Sequence, residues 1–129
     1  MSEIQIISPE NVTAYLGVGG RKTRVLLDPD TGHPELELYH VELGPNDTSE
    51  VHIRDHPETI FILEGVAGVK TKEMVHQAEA GQVILIPSHI EHQHINVGNS
   101  ILRFLGIFAP PTGNASDVRS RKPVERTNL

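Results

Sequence analysis

Glycine and proline interrupt this chain so often that no long regular element fits between them. Eleven Gly and nine Pro are spread over 129 residues. What remains between the breaks are short runs with the two-residue alternation of half-buried strands. The runs are Arg24–Asp28, Leu36–Leu43, Glu58–Leu63, Ala67–Thr71, Gln82–Ile86, His92–Val97 and Ile101–Phe108. Turn chemistry separates them: Asp28-Pro29-Asp30, Gly44-Pro45-Asn46-Asp47, Glu64-Gly65, Ala80-Gly81, Pro87-Ser88 and Gly98-Asn99. Many short strands at this spacing predict an all-β sandwich or barrel. A parallel α/β fold is excluded, because it needs crossover helices and the chain has none to offer. One short helix is expected near the N-terminus, with Ser8 as cap, Pro9 as first helical residue and Gly17 as stop.

Composition narrows the class. At 37% hydrophobic residues the chain can fill one core, and its length is that of one domain. It has no cysteine, which removes disulfide frameworks, thiolate metal sites and thiol nucleophiles together. No apolar run is long enough to cross a bilayer. The opening MSEIQII lacks the basic and apolar regions of an export signal, so the expected compartment is the cytoplasm. The net charge of −6 argues against a binder of the phosphate backbone, so neither nucleic acid nor membrane is an expected partner. Residues 112–129 carry four basic side chains against two acidic ones, a local +2 that leaves −8 on the other 111. This tail has no run that could pack, and reads as a flexible or loosely docked basic extension.

The candidate chemistry lies in histidine. Five of the eight His fall in two tight groups, V-H-I-R-D-H-P-E and P-S-H-I-E-H-Q-H-I-N. In an extended first group, His52, Arg54, His56 and Glu58 share one face. In the second, His92, His94 and Asn96 do. Polar groups facing a barrel interior are costly unless paired or metal-bound, and imidazole with carboxylate is the natural donor set for Zn, Mn, Fe, Co or Ni. A metal-free set of hydrogen-bonded histidines is the competing reading of the same spacing. Gly17-Val-Gly-Gly20 lacks the Lys-Ser/Thr pair of a phosphate loop and is read as a plain loop.

These two groups give the chain a resemblance to the cupin superfamily, small double-stranded β-helix barrels of jelly-roll type. The first family motif is similar to Gly44, His52, Arg54, Glu58 and Gly65. The second is similar to Gly81, Pro87, His89, His92 and Asn96, with every gap intact. The motifs span residues 44–96, and with flanking strands the resemblance covers 24–111, leaving 1–23 as an N-terminal segment and 112–129 as the tail. Two positions depart from the pattern: Arg54 stands for the family's second His, and His89 for a Gly. The gap from Gly44 to His52 is also longer than usual.

The resemblance implies a bound divalent transition metal (Mn, Fe, Ni or Zn). Carried over by position, its ligands are His52, Glu58 and His92, and the missing fourth falls to His56 or His94. His56 is assigned to the metal set, on its shared parity with His52. Arg54 and His94 are assigned to substrate binding, and Glu58 is also the candidate catalytic group. The implied activity is a metal-dependent enzyme acting on a small anionic substrate, a dioxygenase, isomerase or lyase, with the oxygenase placed first. The alternative is a non-catalytic binding or sensor protein with a degenerate metal site. The resemblance also implies a homodimer.

Overall fold

Residues 4–124 are described in a computed structural model. Strands form where the alternation predicts them. They are β1 (Ala14–Leu16), β2 (Lys22–Leu27), β3 (Glu37–Leu43), β4 (Glu58–Glu64), β5 (Val66–Lys70), β6 (Val75–Glu79), β7 (Val83–Ile86), β8 (Gln93–Asn96) and β9 (Leu102–Phe108). All pairings between them are antiparallel. One sheet runs β1-β2-β3-β9-β4-β7 and the other β6-β5-β8. This is the expected jelly roll.

The sheets share one apolar core. Strand β9 lies between β3 and β4, and Leu102, Phe104, Gly106 and Phe108 alternate inward along its whole length. Leu43 and Leu102 sit opposite each other and are both fully buried, as are Ile60 and Ile62 of β4. Gly65 makes the turn from β4 to β5 at φ +87°. A Cβ there would lie 2.5 Å from the Ile101 carbonyl oxygen, so only glycine fits.

Three parts of the chain differ from expectation. The N-terminal helix is a single 3-10 turn, Pro9–Asn11; the chain then extends into β1, which pairs with β2. Ladder hydrogen bonds outweigh the weak helix signal of Pro9 in so short a segment. Strand β6 went unseen because its residues are mostly exposed and carry no apolar alternation.

The tail, as far as residue 124, is docked. Asn114–Arg119 form a helix, α1, which buries Ala115 and Val118 in the core. Beyond it, Leu16 N–H donates to the Lys122 carbonyl and Val124 N–H to the Ala14 carbonyl, extending the sheet past β1. Two apolar residues at helical spacing suffice here because buried charges hold the ends. The Glu37 carboxylate accepts from Thr112 N–H, the Thr112 hydroxyl and Gly113 N–H. Arg119 donates to both oxygens of Asp28 at 2.9 Å. Residues 125–129 of the expected tail lie outside the described residues.

The Asp28–Arg119 clasp predicts a pH dependence. The Arg119 hydrogen bonds hold the Asp28 carboxyl below its ordinary range, against the opposing effect of burial. A depressed folded-state pKa contributes stability above the unfolded value of about 3.9, lost as pH falls through the folded value. Arg119→Ala is therefore expected to cost about 2 kcal/mol at pH 7, since a buried carboxylate loses a bidentate donor. Urea unfolding of both proteins should show that gap closing as pH falls below the ordinary aspartate value of about 3.9. A gap independent of pH would show that Arg119 acts by packing alone.

Candidate metal centre

The segment before β4 carries His52 into the barrel by a local backbone device. Ser49 N–H donates to the His94 carbonyl, and His52 and His92 exchange two backbone hydrogen bonds of 2.9 Å each. Opposed antiparallel residues present their side chains on one face, so the imidazoles of His52 and His92 meet edge to face, centroids 4.4 Å apart. His94, two residues along β8, falls on the same side, 5.2 Å from His92. Glu58 opens β4 and points in from the opposite sheet.

Four side chains converge: one donor atom from each of His52, Glu58, His92 and His94 lies within 4.8 Å of all the others. Glu58 Oε1 is 3.1 Å from His92 Nε2 and 3.7 Å from His52 Nε2, and Glu58 Oε2 is 2.8 Å from His94 Nε2. Glu58, His92 and His94 are buried. Burial would raise the Glu58 pKa, but the three imidazoles around it outweigh that effect, and the carboxyl is held far below the usual carboxylate range. Burial lowers the His94 pKa, which favours a neutral ring with a free lone pair.

The donor set fits a divalent ion, and His92 shows why. Its Nδ1–H donates to the Ile90 carbonyl at 2.8 Å. A carbonyl only accepts, so the hydrogen sits on Nδ1. His92 Nε2, 3.1 Å from a Glu58 oxygen, is thereby the ring nitrogen that would ligate an ion. That separation suits two ligands each about 2.0–2.2 Å from a common ion. The Nδ1–H to carbonyl bond is also how metal-bound histidines are ordinarily oriented. Both ring nitrogens of His52 are buried without a hydrogen-bond partner, and Nε2, the one facing Glu58, is free to ligate an ion.

Of the residues expected at the site, His52, Glu58 and His92 come together. The fourth member of the group is His94, expected as a substrate contact, and not His56. The chain bends at Asp55 and His56 ahead of Pro57, so the strict alternation carrying His56 inward fails there. His56 turns onto the ring of Phe108, centroids 5.2 Å apart. Arg54 does point inward, with Nε 3.3 Å from Glu58 Oε1 and its guanidinium 5.5 Å from the Phe108 ring centroid. His89 has the positive φ (+66°) that the family's glycine would supply, and its N–H donates to the Arg54 carbonyl. Asn96 braces the backbone, donating to the Leu43 and Ser100 carbonyls.

Sequence reasoning missed two charged neighbours. Glu50 Oε1 lies 3.8 Å from His52 Nδ1, and Arg21 is ion-paired to Glu50 at 3.0 Å while itself buried. His52 and Arg21 keep the Glu50 carboxyl ionised, its pKa pushed down to about 2 against the opposing effect of burial. The glycines before Arg21 were the available signal: a Cβ at Gly17 would lie 3.1 Å from its guanidinium.

Comparison with known proteins agrees with this architecture. The family model of the cupin domain matches residues 39–108, more than half of the chain. The chain belongs to the cupin family. No curated protein matches this cupin's sequence. Among solved structures it is similar to the polyketide cyclase RemF of Streptomyces resistomycificus (24% identity, 84% of this chain and 80% of that one, TM-score 0.74). It is also similar to a predicted oxalate decarboxylase of Thermotoga maritima (20%, 82% and 99%, 0.72) and to a sugar phosphate isomerase of Silicibacter pomeroyi (18%, 84% and 76%, 0.71). At these identities the likeness is one of fold. No helix among the described residues is long and apolar enough to cross a membrane.

Proposed function

We propose that this cupin is a metal-dependent enzyme acting on a small anionic organic substrate. The observation that carries the reading is the convergence of His52, Glu58, His92 and His94, with His92 oriented by its Nδ1 bond to the Ile90 carbonyl and its Nε2 3.1 Å from a carboxylate oxygen. These four would hold one divalent transition ion. When bound, the ion would supply a Lewis acid with coordination positions left for substrate or dioxygen. Arg54, largely buried beside Glu58, would bind an anionic group of the substrate. A dioxygenase, an isomerase or a lyase is compatible with this chemistry. The three structural relatives bear three different activities in their names, so the reaction type must come from the site.

Purified protein should contain about one Mn, Fe, Ni or Zn per chain by elemental analysis after metal supplementation. A content far below that would remove the enzyme reading.

One observation favours the second reading, a binding protein without metal. The Arg54 guanidinium faces the same Glu58 oxygen that His92 and His52 approach, where it competes with a cation. Arg54→His removes that charge and adds an imidazole, so it is expected to tighten Zn(II) binding about tenfold or more. Unchanged affinity in a titration would favour the second reading.

The homodimer is proposed on a separate observation. Strand β7 is an outer strand of its sheet and exposes Val83 and Leu85. An apolar unpaired edge of this kind is normally covered, here by a second copy of the chain. Light scattering that gave the mass of a single chain would contradict it.

A further inference from the structure

Next to the four-residue group lies a partly open cavity of about 40 Å³. His52, Arg54, Glu58 and His94 line it on one side, Asn114 and Val118 of α1 close it, and Arg21, Thr23 and Tyr39 complete the wall. Thr23 and Tyr39 sit on the inward faces of β2 and β3, and both are almost fully buried. The Thr23 hydroxyl and the Nε of buried Arg21 have no hydrogen-bond partner, and the Tyr39 hydroxyl, whose nearest charged neighbour is the Glu37 carboxylate, makes no bond of good geometry. Buried polar groups are nearly always satisfied, and an unsatisfied one costs about 1–3 kcal/mol. Three such groups, from neighbouring strands and the residue before them, belong to the wall of one cavity. With the unsatisfied nitrogens of His52 they form a template whose complement is missing.

The chemistry of the complement follows from the charges and the space. Two guanidiniums and a divalent ion would face the carboxylates of Glu50 and Glu58, an excess of positive charge that an anion neutralises. Hydroxyls beside them suit oxygen, since they can donate to it or accept from it. The volume is the scale of one carboxylate group, and the cavity is partly open, so the rest of a short acid would extend through its open side. Resting on the reading of the centre as a metal site, we propose that Arg21, Thr23 and Tyr39, with Arg54, form an oxygen-recognition subsite for a short 2-oxo or 2-hydroxy carboxylate. The carboxylate faces the two arginines, and the second oxygen meets the Thr23 and Tyr39 hydroxyls. The wall contributed by α1 sets the length limit.

The test uses pyruvate as probe, phenylpyruvate as its bulky counterpart, and the full chain with and without Zn(II). Pyruvate should raise the melting temperature of the zinc-loaded protein, and phenylpyruvate should not. Thr23→Val and Tyr39→Phe, near-isosteric changes that keep the wall filled, should each weaken pyruvate binding about fivefold by calorimetry. Zinc stoichiometry and affinity should be unchanged in both. Without zinc the arginines remain, so pyruvate should still bind, more weakly and with the same dependence on Thr23 and Tyr39. Failure of zinc to bind, with that dependence retained, would refute the metal reading and support the subsite. Normal zinc binding, with both variants taking up pyruvate like the unaltered protein, would overturn the subsite and leave the metal reading standing. Absence of pyruvate binding in both forms would also overturn it.

Discussion

Replacing Glu58 by Gln is expected to weaken Zn(II) binding by more than about a hundredfold, close to 3 kcal/mol. Glu58 is the only acidic side chain in the group, and its two oxygens reach all three imidazoles. Glutamine keeps the shape and one weaker oxygen donor but removes the negative charge. The positive charge of Arg54, 3.3 Å from that carboxylate, then faces the ion uncompensated. Loss of an outer partner of a metal ligand already costs 10- to 100-fold in typical sites, so loss of a charged ligand should exceed that. The measurement is a competitive titration against a chelator, with circular dichroism confirming the fold. A loss under about threefold would show that Glu58 is only a hydrogen-bonding partner of the histidines.

The largest effect on stability is expected in the contact between β3 and β9. Leu43 and Leu102 are opposite residues, both completely buried. Truncating either to Ala should cost about 3–4 kcal/mol, from lost burial and from a cavity that rigid strands cannot collapse around. For a domain of this size that is a fall of roughly 10–15 °C in melting temperature. The double substitution should cost less than the sum of the two, because the second truncation enlarges a cavity already opened. Urea unfolding checks both points. A cost below about 1 kcal/mol for either single variant would mean that the strands close over the gap.

What the residues alone made legible depended on how regular the backbone is at each place. Strand β9 alternates without interruption, and its inward set could be assigned by parity. Glu58, as the first residue of β4, inherits the same regularity. His56 shows where parity stops. Between His52 and Glu58 the chain is not a continuous strand, and the bend at Asp55 and His56 rotates one side chain away. His94 was assigned to the substrate although it shares the face of His92, because parity cannot rank two donors on one face by distance. Helix α1 was missed because its docking depends on Glu37 and Asp28, distant in sequence, whose carboxylates secure its two ends. The roles of Arg21, Thr23 and Tyr39 were hidden for a related reason. Nothing about them is unusual until strand pairing places them around the same cavity as the histidines.

The most direct measurement is X-ray absorption on the zinc-loaded protein at one equivalent per chain. A bound ion coordinated by three imidazole nitrogens and carboxylate oxygen is expected. A first shell without imidazole scattering, or an ion lost on simple buffer exchange, would contradict it.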